Sequence, residues 1–183
     1  MATQNKTMYA ILGVLSLTDA SGYDIKRFCD KTVSHFWNEN FGHIYPVLRQ
    51  MEARALVEPR QGGDERRKVY GITALGREEL ARWFKQPVEA QPPRSELLLK
   101  LSFGSRMEPG DAVKLLEDTR TRYVARLAEY REMERGFAGD ERMRALPHFP
   151  YLMAPLRHGI LHAEATLRWC EETIIVLRER EGV

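Results

Sequence analysis

Three prolines within eight residues, Pro87, Pro92 and Pro93 in the stretch Gln86–Pro93, divide this chain more firmly than any other feature. Proline has a fixed φ and no backbone N–H, so neither a helix nor a central strand is expected to run through them. Such a stretch makes a semi-rigid connector. The residues on its two sides also differ in pattern. Residues 8–85 change period several times, as short helices mixed with a strand pair do, whereas residues 95–181 keep a helical period throughout. The 183 residues are thus expected to form two small domains, 1–85 and 95–183, around a linker at 86–94.

In the first half, Met8, Ile11, Leu12 and Leu15 share one helical face and predict a first helix. Ser21, with Asp24 three residues on, reads as a capping box that opens a second helix from about Gly22 to Val33. Trp37–Asn40 is polar enough for a turn, with Asn40 placed to cap a third helix that reaches about Ala55. That third helix has two faces. Ile44, Leu48, Met51 and Ala55 form the inward stripe, and His43, Tyr45, Pro46, Arg49 and Gln50 form the outward one. Pro46 predicts a loosened first turn or a later start. Leu56–Arg60 and Arg66–Ile72 flank a glycine-bearing turn and predict a hairpin. Thr73 then caps a fourth helix to about Phe84, with Leu75, Leu80 and Trp83 or Phe84 inward. Helix, helix, helix, hairpin, helix is the order of a winged helix-turn-helix. The expected fold class is mainly α with a small β-hairpin: an N-terminal winged helix-turn-helix plus a C-terminal α-helical dimerisation domain.

A formal net charge of +2 says little about partners, so a basic footprint has to be local. It is found in the hairpin, where Arg60, Arg66, Arg67 and Lys68 fall within nine residues, partly offset by Asp64 and Glu65. Together with the third helix this pattern suits double-stranded DNA, whose major groove of about 12 Å admits one helix. Arg49 is suited to guanine and Gln50 to adenine, while His43 and Tyr45, beside Pro46, are suited to bases or phosphates. The start of the second helix, at Ser21 and Tyr23, and Lys26 are expected near the backbone. Arg66, Arg67 and Lys68 would grip a phosphate or enter the minor groove, with Tyr70 on the same side of the strand as Lys68. Two plainer readings compete: a solvated basic turn, and a winged helix that holds a protein.

Four motifs carry a family resemblance. They are Tyr9-Ala10-Ile11-Leu12-Gly13, Ser21-Gly22-Tyr23-Asp24-Ile25, Gly42-His43-Ile44-Tyr45-Pro46-Val47-Leu48 and Arg67-Lys68-Val69-Tyr70-Gly71-Ile72-Thr73. Over residues 8–84 the chain resembles the PadR family of bacterial transcriptional regulators, which carries the same tyrosine-proline pair in its recognition helix. The remainder is similar to the helical C-terminal domain of the longer PadR subfamily, among them phenolic-acid-responsive repressors and a virulence-gene activator. The resemblance implies a homodimer on an inverted-repeat, pseudo-palindromic operator. It leaves repressor and activator both open, with repression as the expectation.

In the second half, Val113, Leu116, Arg120, Tyr123, Leu127 and Tyr130 recur at threes and fours. Leu156, Ile160, Ala163, Leu167, Cys170, Ile174 and Leu177 form a heptad seam, widened by Leu161, Trp169 and Ile175. These two long helices are expected to pack on their symmetry mates and make the dimer; the alternative is an intrachain bundle. Tyr123, His148, Tyr151 and His158, with Tyr130 and His162 nearby, are of a type to hold a small aromatic effector, or else to fill an interface. His158 and His162 stand four apart, but no third metal ligand is evident and no metal or cofactor is expected. No nucleophile elbow, P-loop or dinucleotide fingerprint occurs, so no enzyme is expected. Cys29 and Cys170 read as buried free thiols. With no apolar run suited to a signal peptide or membrane span, the expected location is the cytoplasm, on the nucleoid.

Overall fold

A computed structural model describes residues 5–33, 36–37, 41–60, 68–89 and 94–181. The expected cap Asn40, the wing residues Arg66 and Arg67, and Pro92 and Pro93 lie outside the described residues. The chain forms two compact units, residues 1–90 and 91–183.

The first unit is built around α1 (Lys6–Leu17), whose buried Ile11, Leu12 and Leu15 leave almost no surface to water. α1 packs against α2 (Gly22–Thr32), α3 (Phe41–Ala53) and α4 (Ala74–Phe84). The expected capping box opens α2: Asp24 N–H donates to Ser21 Oγ at 3.3 Å and Ser21 N–H to Asp24 Oδ2 at 3.1 Å. Three short strands complete the unit: β1 (Ala20–Ser21), β2 (Val57–Pro59) and β3 (Val69–Ile72). They form an antiparallel sheet in the order β1-β3-β2, with Ala20 opposite Tyr70 and Val57 opposite Ile72. The hairpin therefore has a third strand that two residues could not announce by alternation.

Three local expectations need correction. α3 does not start late at Pro46; it runs from Phe41 through the proline. Ala55 is not on the inward stripe, because the helix has already ended. Ala55 sits at φ 53° and closes a Schellman turn, with Leu56 N–H donating to Met51 O and Ala55 N–H to Glu52 O, both at 2.9 Å. In α4, Leu80 and, of the two aromatic alternatives, half-buried Trp83 face inward as expected, with Phe84 exposed; Leu75 is exposed, and Gly76 is the buried residue of the first turn. Gly76 is there because a methyl at that position would lie 2.2 Å from the carbonyl oxygen of Leu56. Trp83 stacks on Tyr9 at 4.6 Å, and the Tyr9 hydroxyl donates to Glu79 at 3.0 Å.

The second unit contains α5 (Glu96–Ser102), α6 (Asp111–Gly139), α7 (Glu141–Arg144) and α8 (Phe149–Glu181). α6 and α8 form a long antiparallel hairpin. At one end Val113 and Leu116 pack with Cys170 and Ile174, and at the other Tyr130 packs with Leu156, Ile160 and Ala163. Arg120–Glu171 and Arg178–Glu117 bridge the two helices at 3.2 and 2.5 Å. Most of the heptad seam is therefore packed within the chain, against α6. Leu156, Ile160, Ala163, Cys170 and Ile174 are buried, and Leu167 and Leu177 are half-buried. The reason is reach: α6 is nearly as long as α8 and carries its own apolar stripe, and the short connection through α7 brings the two stripes together.

Candidate nucleic-acid interface

The outward residues of α3 remain outward. His43, Tyr45, Pro46, Arg49 and Gln50 are all exposed, while Ile44, Val47, Leu48 and Met51 anchor the opposite face in the core. The helix is thus held from behind and presents an imidazole, a phenol, a guanidinium and a carboxamide from one side. Tyr45 and Arg49 are one turn apart and neighbours on that side. The Arg49 guanidinium and the Gln50 carboxamide can each make paired hydrogen bonds to base edges.

The start of α2 lies beside this face. A methyl placed on Gly22 would be 2.6 Å from Cε1 of Tyr45, so the tyrosine ring lies against the first residue of α2. Tyr23, next along, is half exposed. Ser21 is buried, and both its N–H and its hydroxyl donate to Asp24 Oδ2, at 3.1 and 2.6 Å. Lys26 is largely covered and paired with Asp30.

The wing differs most from its expectation. Tyr70 is a core residue, 6 % exposed, and not a surface contact. Lys68 donates to both carboxylate oxygens of Glu52, at 2.8 and 2.7 Å, and its ammonium lies 5.2 Å from the centre of the Tyr70 ring. The Glu52 carboxylate holds the Lys68 ammonium above the ordinary lysine range. Arg60 is bound to Asp19 at 3.1 Å and Glu58 at 2.6 Å, with its guanidinium lying over Gly71. Sequence reasoning missed Glu52 and Asp19 because each meets its cation across 16 and 41 residues, beyond any periodic signal. Lys68 and Arg60 thereby tie the base of the wing to α3 and to the α1–β1 connection.

The first unit also holds an apolar cavity of about 310 Å³, lined by Tyr9, Val14, Phe28, Val33, Trp37 and Trp83, with Lys6 at its edge. Lys6 pairs with Glu89 at 3.3 Å. No sequence signal singled it out, since its walls come from α1, α2, α4 and the residues after α2. In the second unit, half-buried Tyr123 lies 6.0 Å from His162, itself 6.2 Å from exposed His158. His148 is half-buried before α8, and Tyr151, 79 % exposed, is seven residues from His158, about 10 Å along the helix. Among the described residues no three His, Cys, Asp or Glu side chains converge as a metal site, and no helix is long and apolar enough to cross a membrane.

Comparison with known proteins agrees with this architecture. Residues 11–82 match the transcriptional regulator PadR-like family, and residues 93–178 match the virulence activator alpha C-terminal family. A probable transcriptional regulator of Mycobacterium tuberculosis is 30% identical over 94% of this chain and 97% of its own length. The negative transcriptional regulator PadR of Bacillus subtilis is 27% identical over 92% of this chain and 96% of its own. Its structure with operator DNA superposes with a TM-score of 0.82, at 23% identity over 93% of this chain and 98% of the other. The Vibrio cholerae virulence activator AphA superposes with a TM-score of 0.79, at 27% identity over 95% of this chain and 99% of the other. With a relative of that identity along nearly its whole length, and both halves matched in order, the chain belongs to the PadR-like family of transcriptional regulators, with a winged helix followed by a helical C-terminal domain.

Proposed function

We propose that the chain is a sequence-specific repressor that binds an inverted-repeat operator as a homodimer and is released by a small aromatic ligand. The observation that carries the reading is the exposed face of α3, where His43, Tyr45, Arg49 and Gln50 stand on a helix anchored by Ile44, Leu48 and Met51. That face would enter the major groove, with Arg49 and Gln50 reading bases and Tyr23 near the phosphates. Arg66 and Arg67 of the wing would add phosphate contacts, while Lys68 holds the wing through Glu52.

Selection of bound sequences from random duplexes identifies the operator. Against it, Arg49→Ala is expected to lose about 1–3 kcal/mol of affinity and to relax specificity at one position. Arg66→Ala with Arg67→Ala is expected to weaken binding to all duplexes and to make the salt dependence shallower. Duplex binding that is absent, or insensitive to salt, would replace this reading with a winged helix used for protein contact.

A dimer would set two copies of α3 about 34 Å apart, one DNA turn, in successive major grooves. Most of the α8 seam packs within the chain, and an apolar surface suited to a second copy is its outer face, with Leu161, Ile175 and Val176 each more than half exposed. A monomer at micromolar concentration in light scattering rejects the homodimer. For the ligand, the support is the aromatic-walled cavity of the first unit, together with a structure of Bacillus subtilis PadR in complex with p-coumaric acid. Trp37 and Trp83 line that cavity. Titration with p-coumaric acid is expected to change their emission and to weaken operator binding; emission and affinity both unchanged would reject it.

A further inference from the structure

We infer that Gly22 is a positioning residue: its missing side chain is the seat that fixes the Tyr45 ring on the reading face of α3. The inference rests on the proposal that this face meets DNA. Gly22 is the first residue of α2, immediately after the Ser21 cap, and it is buried. Among the described glycines only Gly110 has a positive φ, so Gly22 is not there for a backbone conformation that other residues avoid. Nor is glycine a good helix residue, because it gives up more chain freedom than alanine does. What it supplies is space. A Cβ at this position would stand 2.6 Å from Tyr45 Cε1, 2.9 Å from Cζ and 3.2 Å from Cδ1, so one edge of the ring occupies the volume of the absent methyl.

The nature of the obstacle decides the outcome of filling that space. At Gly76 the nearest atom is a backbone carbonyl oxygen, which cannot withdraw without moving the corner between α3 and β2. At Gly22 it is the far end of a side chain that is 45 % exposed and has solvent to move into. An alanine at position 22 is therefore accommodated by the fold, and the tyrosine moves. Tyr45 and Arg49 are neighbours along α3, so a displaced phenol also disturbs the approach to the groove beside the guanidinium. Gly22 would thus act on recognition through Tyr45, without touching the nucleic acid itself.

The test uses the full chain and the selected operator, with wild type, Gly22→Ala, Tyr45→Ala and the double variant. Gly22→Ala is expected to melt where the wild type does and to bind the operator about tenfold more weakly. In the Tyr45→Ala background the same alanine is expected to change nothing, because two residues acting through one contact are not additive. Wild-type affinity in Gly22→Ala, or an equal loss in both backgrounds, overturns the inference. A second readout needs no DNA. In protein labelled with 3-fluorotyrosine, the Tyr45 resonance, assigned by its disappearance in Tyr45→Phe, is expected to shift in Gly22→Ala. An unmoved resonance overturns the seat even if the wild type binds no duplex, the result that overturns the DNA reading itself. A Gly22→Ala chain that melts low, and is not restored by adding Tyr45→Ala, overturns it as well.

Discussion

Residues of the same type are put to different uses in this chain. Arg49 is held out on α3, whereas Arg60 is bound by two carboxylates and Lys68 by a third. All three ion pairs are largely exposed, so each is expected to contribute little to stability; their effect is to orient the strands below the wing. Tyr9, 3 % exposed, shows the opposite balance. Burial raises its pKa above the ordinary value near 10.0, and the hydrogen bond to Glu79 raises it further. A raised pKa means that the folded state favours the neutral phenol. The stability it contributes is therefore complete below the pKa of the unfolded chain and is lost as pH rises through the higher folded value. Tyr9→Phe is expected to cost about 1 kcal/mol at neutral pH. In thermal melts at increasing pH, the gap between wild type and Tyr9→Phe should close above about pH 10. A gap that stays constant to high pH would remove this role.

At the level of elements, helix ends and close approaches set the geometry that the interface needs. α3 ends in a Schellman turn whose left-handed residue is Ala55, not the usual glycine. Ala55→Gly is expected to stabilise the chain by about 0.5–1 kcal/mol, since glycine adopts that φ without the steric penalty of a Cβ. Gly76→Ala is expected to destabilise it by about 1–3 kcal/mol, because its methyl meets the backbone of Leu56. The two substitutions are opposite in chemistry and in sign, and chemical denaturation of both measures the contrast. The four helices of the first unit and the two long helices of the second were legible because each carries an apolar stripe at helical spacing, whereas α5 and the four-residue α7 were not. The capping box was legible because its two partners are three residues apart. β1 was not legible, since two residues show no period and Ala20 and Ser21 become a strand only by pairing with β3.

At the scale of the whole molecule, adjacent isoleucines separate the intrachain seam from the surface left over. Ile174 is 7 % exposed and packs with Val113 and Leu116, whereas Ile175 is 59 % exposed. Ile174→Ala is expected to cost about 2–4 kcal/mol in thermal or urea unfolding, and Ile175→Ala less than about 0.5 kcal/mol. Ile175→Glu addresses assembly instead. It is expected to lower the mass found by light scattering while the melting temperature of the helical hairpin is kept, and an unchanged mass would move the proposed dimer face elsewhere. A seam read along α8 alone could not tell a neighbouring helix of the same chain from one of a second copy. The heptad pattern states that a partner exists and is silent on its identity.

The sequence by itself determined the helical elements, the capped start of α2 and the outward set on α3, because these depend on neighbours one to four residues away. It also determined the proline-rich break that separates two patterns. The tertiary structure alone decided which charges are paired, as Lys68 with Glu52 and Arg60 with Asp19. It decided that Tyr70 is core and that α8 pairs with α6. It decided that Gly22 makes room for Tyr45. Each of these is a contact between groups far apart along the chain, and local periodicity carries no information about which distant group will fill a given space or answer a given charge.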